Sequence, residues 1–174
     1  MSEHRISLTV DGERETLTVE GRTLLVHALR DQLEVTAPKV GCESSKCGAC
    51  TVELEGDVVK SCTVLAVQAD GATVRTAAGE SEDGVLSVVQ EQFHEEHGLQ
   101  CGYCTPGMVL TVSDLLRENS NPTDAEIRQA LKGNICRCTG YTNIVSAVQS
   151  AAAELEQGAG TNETANTTRS GEDS

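Results

Sequence analysis

The chain has 174 residues, 38% of them hydrophobic, with Phe93, Tyr103 and Tyr141 as its only aromatics. That length fits one large domain or two small ones, and lean cores of this kind are hard to stabilise without bound metal or a partner. Asp plus Glu outnumber Lys plus Arg by 27 to 13, and the resulting charge of −14 excludes the basic face that nucleic-acid binding needs.

The acids are dispersed, and only four lysines are present. The expectation is the uniformly acidic surface of a protein from a salt-rich, halophilic cytoplasm, ahead of an acidic carrier steering toward a basic partner. No run of about 18 apolar residues predicts a membrane span. The first twenty residues lack a signal-peptide core. A cytoplasmic location is therefore expected, where eight cysteines read as ligands rather than disulfides.

In chain order, Ile6 to Val10 and Glu15 to Glu20 alternate with period two around Asp11-Gly12, a hairpin signal. Thr23 is placed to cap a helix carrying Leu24, Leu25, Ala28, Leu29 and Leu33. Pro38 to Cys50 has no period and reads as a loop. Thr51 to Glu55 and Val58 to Cys62 predict a second hairpin across Gly56-Asp57, and Thr73 to Thr76 a last strand.

The pattern then turns helical. Val85, Leu86, Val89 and Phe93 share one helical face. Thr105-Pro106 predicts an N-cap followed by proline at the first helical position, continued by Met108, Val109, Val112, Leu115 and Leu116. Thr123-Asp-Ala-Glu126 is a capping box, and Gly133 a stop. Thr142 or Asn143 opens a fourth helix through Ile144, Val145, Val148, Ala152 and Leu155. The predicted class is α+β: residues 1–80 a small sheet with one helix, 81–157 four short helices, and 158–174 a disordered polar tail. Asn162-Glu-Thr and Asn166-Thr-Thr match the glycosylation pattern by chance.

Cys42, Cys47, Cys50 and Cys62 follow the C-x4-C-x2-C plus distant cysteine spacing of plant-type ferredoxins. A 2Fe–2S cluster needs two thiolates per iron; three from one loop wrap it and the fourth closes it from a neighbouring strand. Gly41 and Gly48 allow positive φ and close approach, so that loop N–H groups can reach sulfur. Structural cysteines or a four-thiolate zinc site are the alternatives.

Cys101 and Cys104 precede one predicted helix, and Cys136 and Cys138 another. Two helix starts with partial positive charge favour thiolates there. Four thiolates suit zinc or a second 2Fe–2S cluster. A zinc site of His94, His97, Cys101 and Cys104 would strand Cys136 and Cys138. A dithiol redox motif would follow a strand, and the Cys-x-His pairs of a Rieske centre are absent.

"GCESSKCGACTVELEGDVVKSC" from Gly41, "QCGYCTPGM" from Gln100 and "NICRCTGY" from Asn134 together resemble the small iron–sulfur subunit of the molybdenum hydroxylases. That family includes xanthine dehydrogenase, aldehyde oxidoreductase and aerobic carbon monoxide dehydrogenase. The resemblance spans about residues 4 to 157, with all eight cysteines in register. It implies a β-grasp ferredoxin-like domain, then a four-helix domain, each with one 2Fe–2S cluster.

The resemblance further implies electrons passing from a molybdopterin centre on a large partner subunit through the Cys101, Cys104, Cys136 and Cys138 cluster. They then cross to the Cys42, Cys47, Cys50 and Cys62 cluster and on to FAD on a medium subunit. Gln100 and Cys138 match positions that contact the molybdopterin in relatives. Ser44-Ser45 looks closer to the carbon monoxide dehydrogenase branch than to xanthine dehydrogenases with glycine at the second position. On this reading the chain has no catalytic residue of its own. The competing functions are a free-standing two-cluster ferredoxin-like carrier and a zinc-dependent interaction module. The substrate is not legible.

Overall fold

The structure, a computed structural model, describes the backbone of residues 2–167, with side chains to residue 158. β1 (Glu3–Val10) and β2 (Glu13–Glu20) form the first hairpin, with Ile6 opposite Leu17. Asp11 and Gly12 both take positive φ, as a two-residue turn between right-twisted strands requires. Ile6, Leu8 and Val10 alternate inward and meet Leu17 and Val19.

The second hairpin joins β3 (Thr51–Leu54) to β4 (Asp57–Lys60). Its turn is Glu55-Gly56, one residue earlier than expected. The positive φ values fall on that pair, with glycine second as in Asp11-Gly12. Asp57 therefore belongs to the strand. β5 (Thr73–Arg75) runs parallel to β1 and antiparallel to β3, and the mixed sheet has the order β2-β1-β5-β3-β4.

α1 is shorter than the periodicity predicts. It spans Leu25–His27 and widens into a π-helical turn over Ala28–Gln32. Its N-cap is Leu24, without a side-chain cap, and not Thr23. Here tertiary pairing wins over capping: Leu25 N–H donates to Val64 C=O at 2.8 Å, and Ala66 N–H to Thr23 C=O at 2.7 Å. Leu25, Ala28 and Leu29 close the first core against Leu8, Val19, Val52 and Val74.

Past the sheet, the Asp11 carboxylate accepts from Thr76 N–H at 2.6 Å and from its hydroxyl at 2.7 Å, tying the connector to the first turn. α2 (Val88–Glu95) starts later than expected. Ser87 caps it in a box with Gln90, which leaves Val85 and Leu86 outside the helix, 70% and 51% exposed. Val89 and Phe93 enter the second core as predicted.

α3 (Thr105–Glu118), α4 (Asp124–Ala130) and α5 (Thr142–Thr167) complete the helical layer. Thr123 and Glu126 form the predicted capping box. A 3-10 turn over Leu131–Gly133 ends α4 at the predicted stop. Phe93, Met108, Val112, Ile127, Ile144 and Val148 fill this core, separate from that of the sheet. α5 runs beyond Gly158 to Thr167, whereas a disordered tail was expected over 158–174; the side chains from 159 and the backbone from 168 lie outside the described residues. No helix among the described residues is long and apolar enough to cross a membrane.

α3 lies on β3 and β4 and joins the two layers. Gly107 on α3 faces Gly48 so closely that an added Cβ would sit 2.1 Å from the Gly48 carbonyl oxygen. Gly48 itself has φ +71, and a Cβ there would lie 2.4 Å from Gly133 O. At the other end of α3, Arg117 meets the largely buried carboxylate of Glu53 at 2.7 Å. Arg75 lies 3.4 Å from the same carboxylate and also pairs with Glu80, which accepts from Ser113 of α3 at 2.9 Å.

Candidate metal centres

The loop from Pro38 to Cys50 is irregular, as its aperiodic sequence predicts. Glu43, Ser45 and Gly48 all take positive φ, which curls the backbone and turns N–H groups inward. Ser44 N–H and Cys47 N–H lie 3.4 and 3.3 Å from Cys42 Sγ. Gly41 does not have positive φ; it serves close approach, since a Cβ there would sit 2.8 Å from Cys47 Sγ. Cys62 lies not on β4 but on the 3-10 turn Ser61–Thr63 that follows it. Ser61 N–H and hydroxyl donate to Cys50 C=O at 3.2 and 2.7 Å, bringing that turn to the loop.

Cys47 neighbours both Cys42 and Cys62, and Cys50 neighbours Cys62. Their environments differ. The Ser44 side chain and N–H, then Cys47, lower the exposed Cys42 thiol to about 6. Burial raises Cys47, and raises Cys50 to about 11.

The second group is assembled by two chain segments. Cys104 is the N-cap of α3, displacing Thr105 from the expected position; Thr105 begins the helix with Pro106, and its hydroxyl is buried without a partner. Cys136 and Cys138 come from the turn before α5. Cys101 and Cys138 thiols are 3.6 Å apart, and Cys104 adjoins Cys136. Burial pushes Cys104 up to about 12. Cys136 is also penalised by burial, but hydrogen bonds from the Thr139 hydroxyl and from backbone N–H groups outweigh it and lower that thiol. Its neighbour Cys101 raises Cys138.

A cavity of about 160 Å³ is lined by these four cysteines and also by Gly41, Cys47 and Ala49 of the first loop. Cys47 thus borders both groups. Ile135 N–H donates to Cys47 C=O at 2.8 Å, Asn134 Nδ2 to Gly48 C=O at 3.4 Å, and Tyr103 Oη to Val40 C=O at 2.7 Å. Sequence reasoning missed Ile135, Asn134 and Tyr103 as links, because nothing local marks a contact across some 60 to 90 residues of chain.

Eight free thiols in two sets of four are what two binuclear clusters ask for: two ligands for each of two irons. Among the described residues, no three His, Cys, Asp or Glu side chains converge on a single-ion centre. Gln100 is exposed and precedes Cys101 in the chain, and Cys138 is exposed 3.6 Å from the Cys101 thiol.

Two family models match: a 2Fe-2S iron-sulfur cluster binding domain over residues 8–78, and a 2Fe-2S binding domain over residues 73–149. The chain is 47% identical to the caffeine dehydrogenase subunit gamma of Pseudomonas sp. (strain CBB1), covering 90% of this chain and 95% of that protein. It is 46% identical to the nicotinate dehydrogenase small FeS subunit of Eubacterium barkeri, covering 86% and 95%. Among solved structures, a chain of quinoline 2-oxidoreductase from Pseudomonas putida 86 superposes with TM-score 0.85 at 40% identity, covering 90% of this chain and 98% of that one. The aldehyde oxidoreductase of Desulfovibrio desulfuricans superposes with TM-score 0.83 at 40% identity, covering 88% of this chain and 17% of that one.

Proposed function

The chain belongs to the small iron–sulfur subunits of the molybdenum hydroxylase and xanthine dehydrogenase family, and from that premise we propose a ligand set and a route for it. Cys42, Cys47, Cys50 and Cys62 hold one 2Fe–2S cluster, and Cys101, Cys104, Cys136 and Cys138 hold the other. Each cluster, when bound, accepts and releases one electron at a time. The chain's own part is to supply eight thiolates, to donate N–H and O–H groups to their sulfurs, and to hold the two ligand loops edge to edge.

The observation that carries this reading is the shared boundary: Cys47 of the first loop lines the same cavity as all four thiols of the second group. Electrons from a molybdopterin centre on a large partner subunit enter at the exposed rim of Gln100 and Cys138. They cross by way of the two cysteine sites and leave toward FAD on a medium partner. The relatives' own names, subunit gamma and small FeS subunit, favour a complex over a free-standing carrier. Caffeine, nicotine and nicotinate in those names are nitrogen heterocycles, and they outweigh the Ser44-Ser45 hint toward carbon monoxide. Ligand thiols must stay reduced, which suits the cytoplasm.

The test is metal analysis with EPR of the reduced, purified complex. About four irons per chain and two distinct signals are expected. Cys136→Ala should remove one signal and leave the other. Zinc in place of iron, or both signals at full intensity in Cys136→Ala, would overturn the assignment.

A further inference from the structure

Thr139 Oγ1 lies 3.2 Å from Cys136 Sγ. The same oxygen accepts the N–H of Tyr141 at 3.1 Å. A threonine hydroxyl has one hydrogen to give. With a lone pair occupied by Tyr141 N–H, that hydrogen is free for the sulfur, which as a ligating thiolate can only accept.

Tyr141 is held in an unusual state. Its φ is +69, the left-handed region that a bulky side chain rarely adopts. Three hydrogen bonds and a packing contact impose it. The Tyr141 hydroxyl accepts from Cys136 N–H at 2.8 Å and donates to Asn134 C=O at 3.0 Å. The Tyr141 carbonyl accepts from Val145 N–H at 2.9 Å, in the first turn of α5. The ring packs on the helical core. Side chain and backbone of one residue thus close the segment from Asn134 to Tyr141 into a clasp around Cys136.

We propose that Thr139 sets the reduction potential of the second cysteine site by donating a hydrogen bond to Cys136 Sγ, and that Tyr141 is the positioning residue that aims it. The sign follows from charge. Reduction adds negative charge to the ligand sulfurs, a donor stabilises that state more than the oxidised one, and the potential rises. The inference rests on the reading of the second quartet as a 2Fe–2S ligand set.

The experiment is an EPR-monitored redox titration of the assembled complex. Two signals and about four irons per chain in the unmodified protein test the ligand reading first, so that its failure is seen before any variant is made. Thr139→Val removes the hydroxyl at nearly constant shape. It should move the midpoint of the second site to lower potential and leave the first where it was. Thr139→Ser keeps a hydroxyl and should restore the midpoint. An unmoved midpoint in Thr139→Val, equal shifts at both sites, or an equal shift in Thr139→Ser would overturn the proposal. If Thr139→Val does not assemble, Tyr141→Phe decides: a downward shift confined to the second site supports the clasp, and an unmoved midpoint ends it.

Discussion

The backbone N–H of Ile135 donates to the carbonyl of Cys47 at 2.8 Å, so a residue beside one cysteine pair is bonded directly to a cysteine of the other group. The bond crosses from the helical layer to the loop before β3. Asn134, just before Ile135, is extended at φ −125 and ψ 116, a conformation that tolerates a following proline. Ile135→Pro deletes the donor at a position whose preceding residue accepts a proline. We expect it to retain both EPR signals, to lose about 1 kcal/mol of stability, and to weaken the magnetic interaction between the two reduced centres. An interaction equal to that of the unmodified chain would show that this bond does not set their spacing.

Gly107→Ala tests the close approach of the layers. Its methyl would meet the Gly48 carbonyl at 2.1 Å, and neither the α3 backbone nor the loop can yield without moving a neighbouring cysteine. Overpacking of this kind costs about 1–3 kcal/mol. Thermal unfolding should register that loss, and a change below about 0.5 kcal/mol would mean the layers slide apart freely.

The thiols should differ in reactivity when the chain is free of metal. Cys42 is exposed and lowered to about 6, so it is largely thiolate at pH 7. Cys50 at about 11 and Cys104 at about 12 stay protonated there. Thiolate is the nucleophile. Alkylation read by mass spectrometry should modify Cys42 first, at a rate that falls as pH drops through about 6. The sign for folding runs opposite in the two classes. Raised thiols favour the folded metal-free chain below pH 9 and lose that contribution as pH climbs toward 11 and 12. Faster labelling of Cys104 than of Cys42 at pH 7 would contradict the environments described.

The net charge of −14 makes a further expectation. Dispersed carboxylates repel one another in the compact state, and multimolar salt shortens the screening distance to about 3 Å. The unfolding temperature of the complex should rise from low to multimolar salt. Equal values at both ends would remove the case for adaptation to a salt-rich cytoplasm.

Much of this was legible in the chain because the signals are local. The four-two spacing of Cys42, Cys47 and Cys50 announces a wrapping loop, and Thr123 with Glu126 announces a helix start three residues long. The failures share a cause. Thr23 and Thr105 are good caps by type, yet Leu24 and Cys104 take those places because strand pairing and the thiol group fix the chain there. Val85 and Leu86 fit a helical face, but Ser87 offers a better start with Gln90. The clasp of Tyr141 around Cys136 and the meeting of Gly48 with Gly107 depend on distant segments, and no window of sequence carries them.

α3 is fastened at both ends. Near its start Gly107 abuts Gly48, and twelve residues past Thr105, about 18 Å along the axis, Arg117 is moored to Glu53. A rod held at two points cannot pivot about either. Leverage then works in both directions: a charge reversal at the remote mooring would be felt as a tilt at Cys104, and a change at the thiol end would strain a half-buried ion pair. The helix is a strut, and its far anchorage shares in keeping the cysteine groups aligned.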